Sequence, residues 1–199
     1  MKKTEQTDGR KEAIMEAAYS LFGAVGYART SMKDIAAKAG VAQGLIGYYF
    51  GTKENLLVQV VREWMINRGM AESSSQLKGM TENKDIISNA IQHVVTFRRN
   101  NPEWFTLLVS LWMESRKNPD LEKEFEAIYS EMKLGVLQVI NGLETTLEQE
   151  EKESLASIVQ AVIDGLTLQA MSKEQDMLRF QENCINGMEW LFKGSQKKL

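Results

Sequence analysis

The residues of this 199-residue chain whose types and spacing suit chemistry cluster between Ser31 and Lys53, and that chemistry is recognition rather than bond making. The amide of Gln43 can pair bidentately with adenine, while Gly44 and Gly47 put little between a helix backbone and whatever it approaches. Tyr48, Tyr49 and Lys53 can reach flanking phosphates, Lys53 from a helix start where backbone N–H groups also favour an anion. Bond-making constellations are missing: the chain has no Gly-rich phosphate loop, no HExxH and no G-x-S-x-G. One Cys (Cys184) and one His (His93) exclude an intramolecular disulfide and a His/Cys metal cluster. Paired carboxylates such as Glu122/Glu126 and Glu150/Glu151 sit among polar helix positions and read as solvated faces. No enzyme, metal or cofactor is therefore expected.

Helical periodicity supplies the scaffold for these residues. Ile14, Ala17, Ala18, Leu21, Phe22 and Val25 follow the i, i+3, i+4 rule and predict a first helix. Asp8 is placed to cap it and Gly23 and Gly26 to end it, with a loose polar tail through about Thr7. Ser31 as N-cap with Asp34 in the N3 slot predicts a short second helix burying Met32, Ile35, Ala36 and Ala39. Gly40 supplies a turn, Val41 points inward, and a third helix runs from about Ala42 to Tyr49, tied back by Ile46 and Phe50. Thr52 caps a fourth, with Leu56, Leu57, Val60, Val61 and Trp64 inward. Helices two and three form a helix-turn-helix, and the third suits a major groove ~12 Å wide.

Beyond Ser73-Ser74-Ser75 the pattern restarts. Apolar stripes predict helices over Ile86–Val95, Trp104–Trp112, Leu121–Leu143, Leu155–Met171 and Leu178–Phe192. No run alternates at period two, so the fold class is all-α with about nine helices. The eighth helix is apolar nearly all round, with Ala161 and Gly165 four apart, and this predicts burial on two sides. One side belongs to its own core; a partner subunit or the centre of a monomer can account for the other.

With 43% hydrophobic and 26% charged residues, 2 Pro and 14 Gly, the composition is globular and excludes collagen-like and wholly disordered chains. The opening MKKTEQTDGR has no apolar core, so no signal peptide is expected. No uncharged stretch reaches the ~18 residues of a membrane span, and a cytoplasmic protein is expected. The net charge of −3 is uneven: eight basic and six acidic residues give the first 55 positions +2. A basic front on an acidic body fits a module facing nucleic acid, though +2 is modest.

The stretch TSMKDIAAKAGVAQGLIGYYFGTKENLL (Thr30 to Leu57) closely resembles the N-terminal DNA-binding domain of the TetR family of bacterial transcriptional regulators. Ile14-Met15, Ala18, Leu21-Phe22, Gly26-Tyr27 and Thr30 agree with it, so the resemblance covers about residues 10–60 without a gap. AVIDGLTLQA (Ala161 to Ala170) looks like the Asp-Gly-Leu helix of the BetI-type subgroup. The resemblance implies a three-helix DNA-binding domain over 1–54, joined by a long fourth helix to a helical effector-binding and dimerisation domain over 55–199. It implies phosphate and base contacts for Thr30, Ser31 and Lys33, and base reading by Gln43, Gly44 and Leu45. Tyr48, Tyr49 and Lys53 match the family's aromatic pair and its helix-four lysine. Two positions depart from the pattern. Ala42 stands where many members cap with Ser or Thr, and Gly47 where many carry Tyr, which removes a phosphate contact.

The resemblance also implies a homodimeric repressor that binds a palindromic double-stranded operator, with half-sites ~34 Å apart, and is released by a small hydrophobic effector. Effector-lining residues are expected to be Trp64, Met65, Phe97, Trp104, Phe105, Leu108, Trp112, Met113, Phe125 and Tyr129. Dimerisation is expected through the last two long helices, by Leu155, Ile158, Val162, Leu166, Met188 and Leu191. The alternative is a DNA-binding protein controlled by a protein partner, or constitutive, with no inducer pocket. A solid core beside Trp104 and Trp112 favours that alternative.

Overall fold

The structure is a computed structural model that describes residues 2–70 and 80–170, together with residues 179, 182, 183, 186 and 187. The described residues contain no β-strand, and the fold is all-α. Among the described residues eight α-helices run in chain order: α1 (Lys2–Val25), α2 (Met32–Ala39), α3 (Gln43–Phe50), α4 (Lys53–Arg62), α5 (Asn83–Asn100), α6 (Trp104–Ser115), α7 (Pro119–Asn141) and α8 (Gln149–Ala170). A π-helical segment, Glu63–Met70, continues α4. The ninth helix expected over 178–192 lies outside the described residues apart from positions 179, 182, 183, 186 and 187, which are helical.

Up to Asn67, and again over Asn101–Ile128, the chain packs as one compact unit; Arg68–Asn100 and the chain from Tyr129 onward form a second. The division expected after residue 54 thus falls within the first unit, near the start of α4. In this unit Ile14, Ala18 and Phe22 of α1, Ile35 of α2, Ile46 of α3 and Leu56, Leu57 and Val60 of α4 have no exposed surface. Each sits at the helical spacing that the periodicity picks out. Val25 departs from its stripe at 39% exposed, because α1 ends there.

The helix ends follow local chemistry. Ser31 and Asp34 close a reciprocal capping box on α2, with Asp34 N–H donating to the Ser31 hydroxyl (3.2 Å) and Ser31 N–H to the Asp34 carboxylate (2.9 Å). Gly40, at φ 66°, ends α2 in the left-handed region that glycine tolerates best. Pro119 occupies the first position of α7, where a missing N–H costs nothing, and the Asn118 side chain accepts from Asp120 N–H at 3.0 Å. The start of α1 corrects the expected polar tail and Asp8 cap. The helix begins at Lys2 and runs on through Gly9, so Asp8 lies inside it. Gly23 does not end α1 either. The helix passes through it to Val25, and Gly26 (φ 92°) makes the stop.

The second unit is held by Ile86, Ile87, Ile91 and Val95 of α5, Ile140 and Leu143 at the end of α7, and Leu155, Ala156 and Val159 of α8. The Asn83 side chain closes a double hydrogen bond with the backbone N–H and carbonyl of Glu144, each 2.8 Å, which fixes the start of α5 to the turn after α7.

Gly23 has a packing role. A Cβ there would run into the Cβ and Cγ of Glu103, at the start of α6, and a Cβ is not a flexible chain end that can swing away. Gly23→Ala is expected to lower unfolding free energy by about 1–3 kcal/mol, measured by urea denaturation. An unchanged midpoint would show that α6 does not approach α1 at this point.

Candidate nucleic-acid interface

α3 divides cleanly into two faces. Ile46 and Phe50 are buried and Leu45 and Tyr49 half-buried against the rest of the domain. Gln43, Gly44, Gly47 and Tyr48 are exposed, Tyr48 at 80%. The helix-turn-helix therefore places the expected reading residues Gln43 and Gly44 outward, with Leu45 at the margin. Lys33, on α2, is also exposed. Ala42 makes no side-chain cap, as its departure from the family pattern implies.

Behind this surface, a polar cluster fixes how α3 is presented. The Lys53 ammonium, at the first residue of α4, donates to the carbonyls of Tyr27 and Thr30, both at 3.0 Å, and lies 4.2 Å from the centre of the Tyr27 ring. The Tyr27 hydroxyl donates to Glu54 at 3.2 Å. Burial, reinforced by the Glu54 charge, pushes the Tyr27 phenol well above its usual range. The Thr30 hydroxyl donates to the Gly26 carbonyl (2.9 Å) and also approaches that of Leu21 (3.3 Å).

These contacts engage three of the groups expected to reach DNA. Thr30 is 3% exposed and its hydroxyl is turned inward, so its side chain does not face a partner. The Lys53 ammonium is committed to two carbonyls rather than extended outward. Ser31 is exposed, yet its hydroxyl donates to Asp34 at 2.6 Å. Tyr27 and Glu54, which anchor the cluster, both lie within the family pattern, but the pattern does not show that they meet. The cue was the orphan carbonyls where α1 ends and α2 begins.

The residues expected to line an effector site fall in both units. Trp64, Met65, Trp104, Phe105 and Leu108 are buried in the first, with Phe125 half-buried, while Phe97 and Tyr129 are half-buried in the second. Trp64 stacks on Tyr19 of α1, ring centres 4.3 Å apart, so one face of its indole is covered from within. Trp112 (51%) and Met113 (56%) are exposed on the outer side of α6, which removes them from the unit's interior. Beside Tyr129 in the second unit lies a carboxylate outside the expected effector residues. Asp164 of α8 accepts from the Tyr129 hydroxyl and, at 2.9 Å, from the Gln160 amide. Burial holds its carboxyl above the usual range, against those hydrogen bonds and the Arg98 charge. A single acid four residues from a glutamine on an apolar helix was the available signal. His93 Nε2–H donates to the Gly69 carbonyl at 2.6 Å, since a carbonyl can only accept.

Of the expected dimer residues, Leu155 is 8% exposed and belongs to the second unit's own core, because its side chain points toward α5 and α7. Ile158 is 49% exposed and Val162 half-buried. The Leu166 side chain, Met188 and Leu191 lie outside the described residues. No helix of the described residues is long and apolar enough to cross a membrane.

Comparison with known proteins agrees with this geometry. The family model for bacterial regulatory proteins of the tetR family matches residues 14–60, and that for the C-terminal domain of BetI-type transcriptional repressors matches residues 85–182. The HTH-type transcriptional regulator BetI of Vibrio campbellii is 28% identical over 177 residues, covering 88% of this chain and 87% of that protein. A transcriptional regulator from Saccharomonospora viridis, solved in complex with choline, superposes with a TM-score of 0.70 at 19% identity, covering 90% of this chain and 95% of that one. The regulator FadR of Bacillus subtilis, solved with stearoyl-CoA, gives 0.73 at 18% identity, covering 92% and 98%.

Replacing Lys53 with Met keeps the stem and removes the ammonium, which takes the donor from the Thr30 carbonyl and leaves the Tyr27 carbonyl only the Thr30 N–H at 3.3 Å. Lys53→Met is expected to cost about 1–3 kcal/mol of unfolding free energy, while the salt slope of DNA binding changes by less than the roughly one unit of a lost phosphate contact. A normal unfolding midpoint with a flattened slope would instead place the ammonium on DNA. For Asp164, a raised pKa means that the folded chain binds the proton more tightly than the unfolded one. Its contribution to stability is fully present below the unfolded pKa and is lost as pH rises through the folded value. Urea midpoints between pH ~4 and ~7 should therefore fall more steeply for the parent chain than for Asp164→Asn; parallel curves would contradict the burial of the charge.

Proposed function

We propose that this chain, which belongs to the TetR family of DNA-binding transcriptional regulators and is not an enzyme, works in the cytoplasm as a homodimeric repressor released by a small-molecule effector. The observation that carries the dimer is on α8. Opposite the core residues Leu155, Ala156 and Val159, the helix exposes Ile158, Ala161, Gly165 and Leu168, the last at 63%. These follow one another at helical spacing, and a Cβ at Gly165 would meet nothing within 4 Å. An apolar stripe with a small centre suits close packing against the same helix of a second copy.

Dimerisation gives two copies of α3 about one turn of DNA apart, which matches a palindromic operator. The effector acts by preferring an arrangement with a different spacing, and so shifts the population away from the DNA-competent dimer. The choline and stearoyl-CoA bound to the S. viridis and B. subtilis regulators support a small-molecule occupant over a protein partner.

Sedimentation and DNA binding of Ile158→Glu/Leu168→Glu test this reading. Both positions are exposed within the chain, so the protomer should stay folded. The variant should sediment as a monomer and lose roughly 10²-fold or more in affinity for a duplex that the parent binds as a pair, because the two heads no longer act together. A dimer of unchanged affinity would remove α8 from the interface.

A further inference from the structure

The exposed residues of α3 fall within an arc of about 140°, in the angular order Gln43, Gly47, Gly44, Tyr48. No residue from Ala39 to Thr52 carries a charge. That composition is chemically selective. The strong major-groove contact to guanine is an Arg or Lys on O6 and N7, and the contact to cytosine is a carboxylate on the N4 amine; α3 has neither. It has one amide, of the kind that matches the adjacent acceptor and donor of adenine.

The two glycines point the same way. Both have ordinary helical backbone, and a Cβ at either would meet nothing within 4 Å. Neither conformation nor internal packing asks for glycine, and glycine weakens a helix relative to alanine. Their bareness lets the α3 backbone and the exposed ring of Tyr48 lie close to a groove floor, where the apolar landmark is the C5 methyl of thymine. The cation nearest in sequence, Lys53, is held behind α3 by the Tyr27 and Thr30 carbonyls and adds no guanine contact to this arc.

We infer that the base pairs lying under α3 are A·T pairs: adenine is held by the Gln43 amide, and the thymine methyl packs on Tyr48 and the Gly44–Gly47 backbone. This rests on the reading of α3 as the helix that enters the groove. Phosphate attraction is left to the exposed Lys33 and Lys38 of α2, which carry no weight in the choice of base under α3.

The experiment is selection of bound duplexes from a random library by the full chain and by Gln43→Ala. The enriched half-sites are then resynthesised with deoxyuridine for thymidine or 7-deazaadenine for adenine. The expected result is A·T at the positions whose preference disappears in Gln43→Ala. The 7-deaza substitution should weaken the parent by about 5- to 150-fold and leave Gln43→Ala unaffected, and loss of the thymine methyl should weaken Gln43→Ala as well as the parent. G·C pairs at the Gln43-dependent positions, or A·T pairs indifferent to both analogues, would overturn the inference while leaving α3 as the reading helix. Half-sites identical for the parent, Gln43→Ala and Gly47→Ala would remove α3 from the groove, and the inference with it.

Discussion

The ammonium of Lys53 between the carbonyls of Tyr27 and Thr30 is the contact on which the DNA-binding head depends. α1 ends at Val25 and α2 begins at Met32, and the turn between them leaves carbonyls that no helix satisfies. The first residue of α4 reaches back to two of them, with the Tyr27 ring beneath the cation and the Tyr27 hydroxyl on neighbouring Glu54. One aromatic residue is thus held at both ends by consecutive residues of α4. The Thr30 hydroxyl, bonded back to the Gly26 carbonyl, closes the turn from its other side. α1, α2 and α4 are joined at one point, and α3 is seated against them through Ile46 and Phe50.

A consequence for recognition follows from where the polar atoms go. The groups that a basic DNA-binding motif would extend toward phosphates are here partly turned inward, and the reading helix carries no charge. On the proposed reading, specificity and attraction fall to different elements: α3 offers shape, one amide and one exposed ring, and the exposed lysines of α2 offer attraction that falls with salt. In the second unit Asp164 is the counterpart of Lys53, a part-buried polar group that collects a hydroxyl from α7 and an amide from its own helix. Arg98 of α5 donates from the same neighbourhood to the Ile163 carbonyl at 3.4 Å, so three helices meet there.

The local parts of this architecture were legible in the sequence. Ser31 with Asp34, the left-handed Gly40 and the Thr52 cap are contacts within a few residues, and local spacing encodes them fully. Other features depend on tertiary placement. A lysine stem can bend toward solvent or toward carbonyls, and only the ends of α1 and α2, brought next to α4, decide the direction for Lys53. Gly23 reads as a helix stop because its real cause, the side chain of Glu103, lies 80 residues away. On α8 the periodicity shows two apolar faces but does not say which is turned inward, so Leu155 and Ile158 look alike in the sequence and differ in the fold. The π register of Glu63–Met70 leaves no mark in residue type, since Trp64 and Met65 suit either kind of helix.

Hydroxyl-radical footprinting of the full chain on a duplex selected from a random library tests the central claim most directly, because it reads both heads at once. A homodimer presenting α3 from each protomer should protect two patches on one face of the DNA, centred about one helical turn apart, with the same base pattern in inverted order under each. A single protected patch, or protection without repeat or symmetry, would contradict the account.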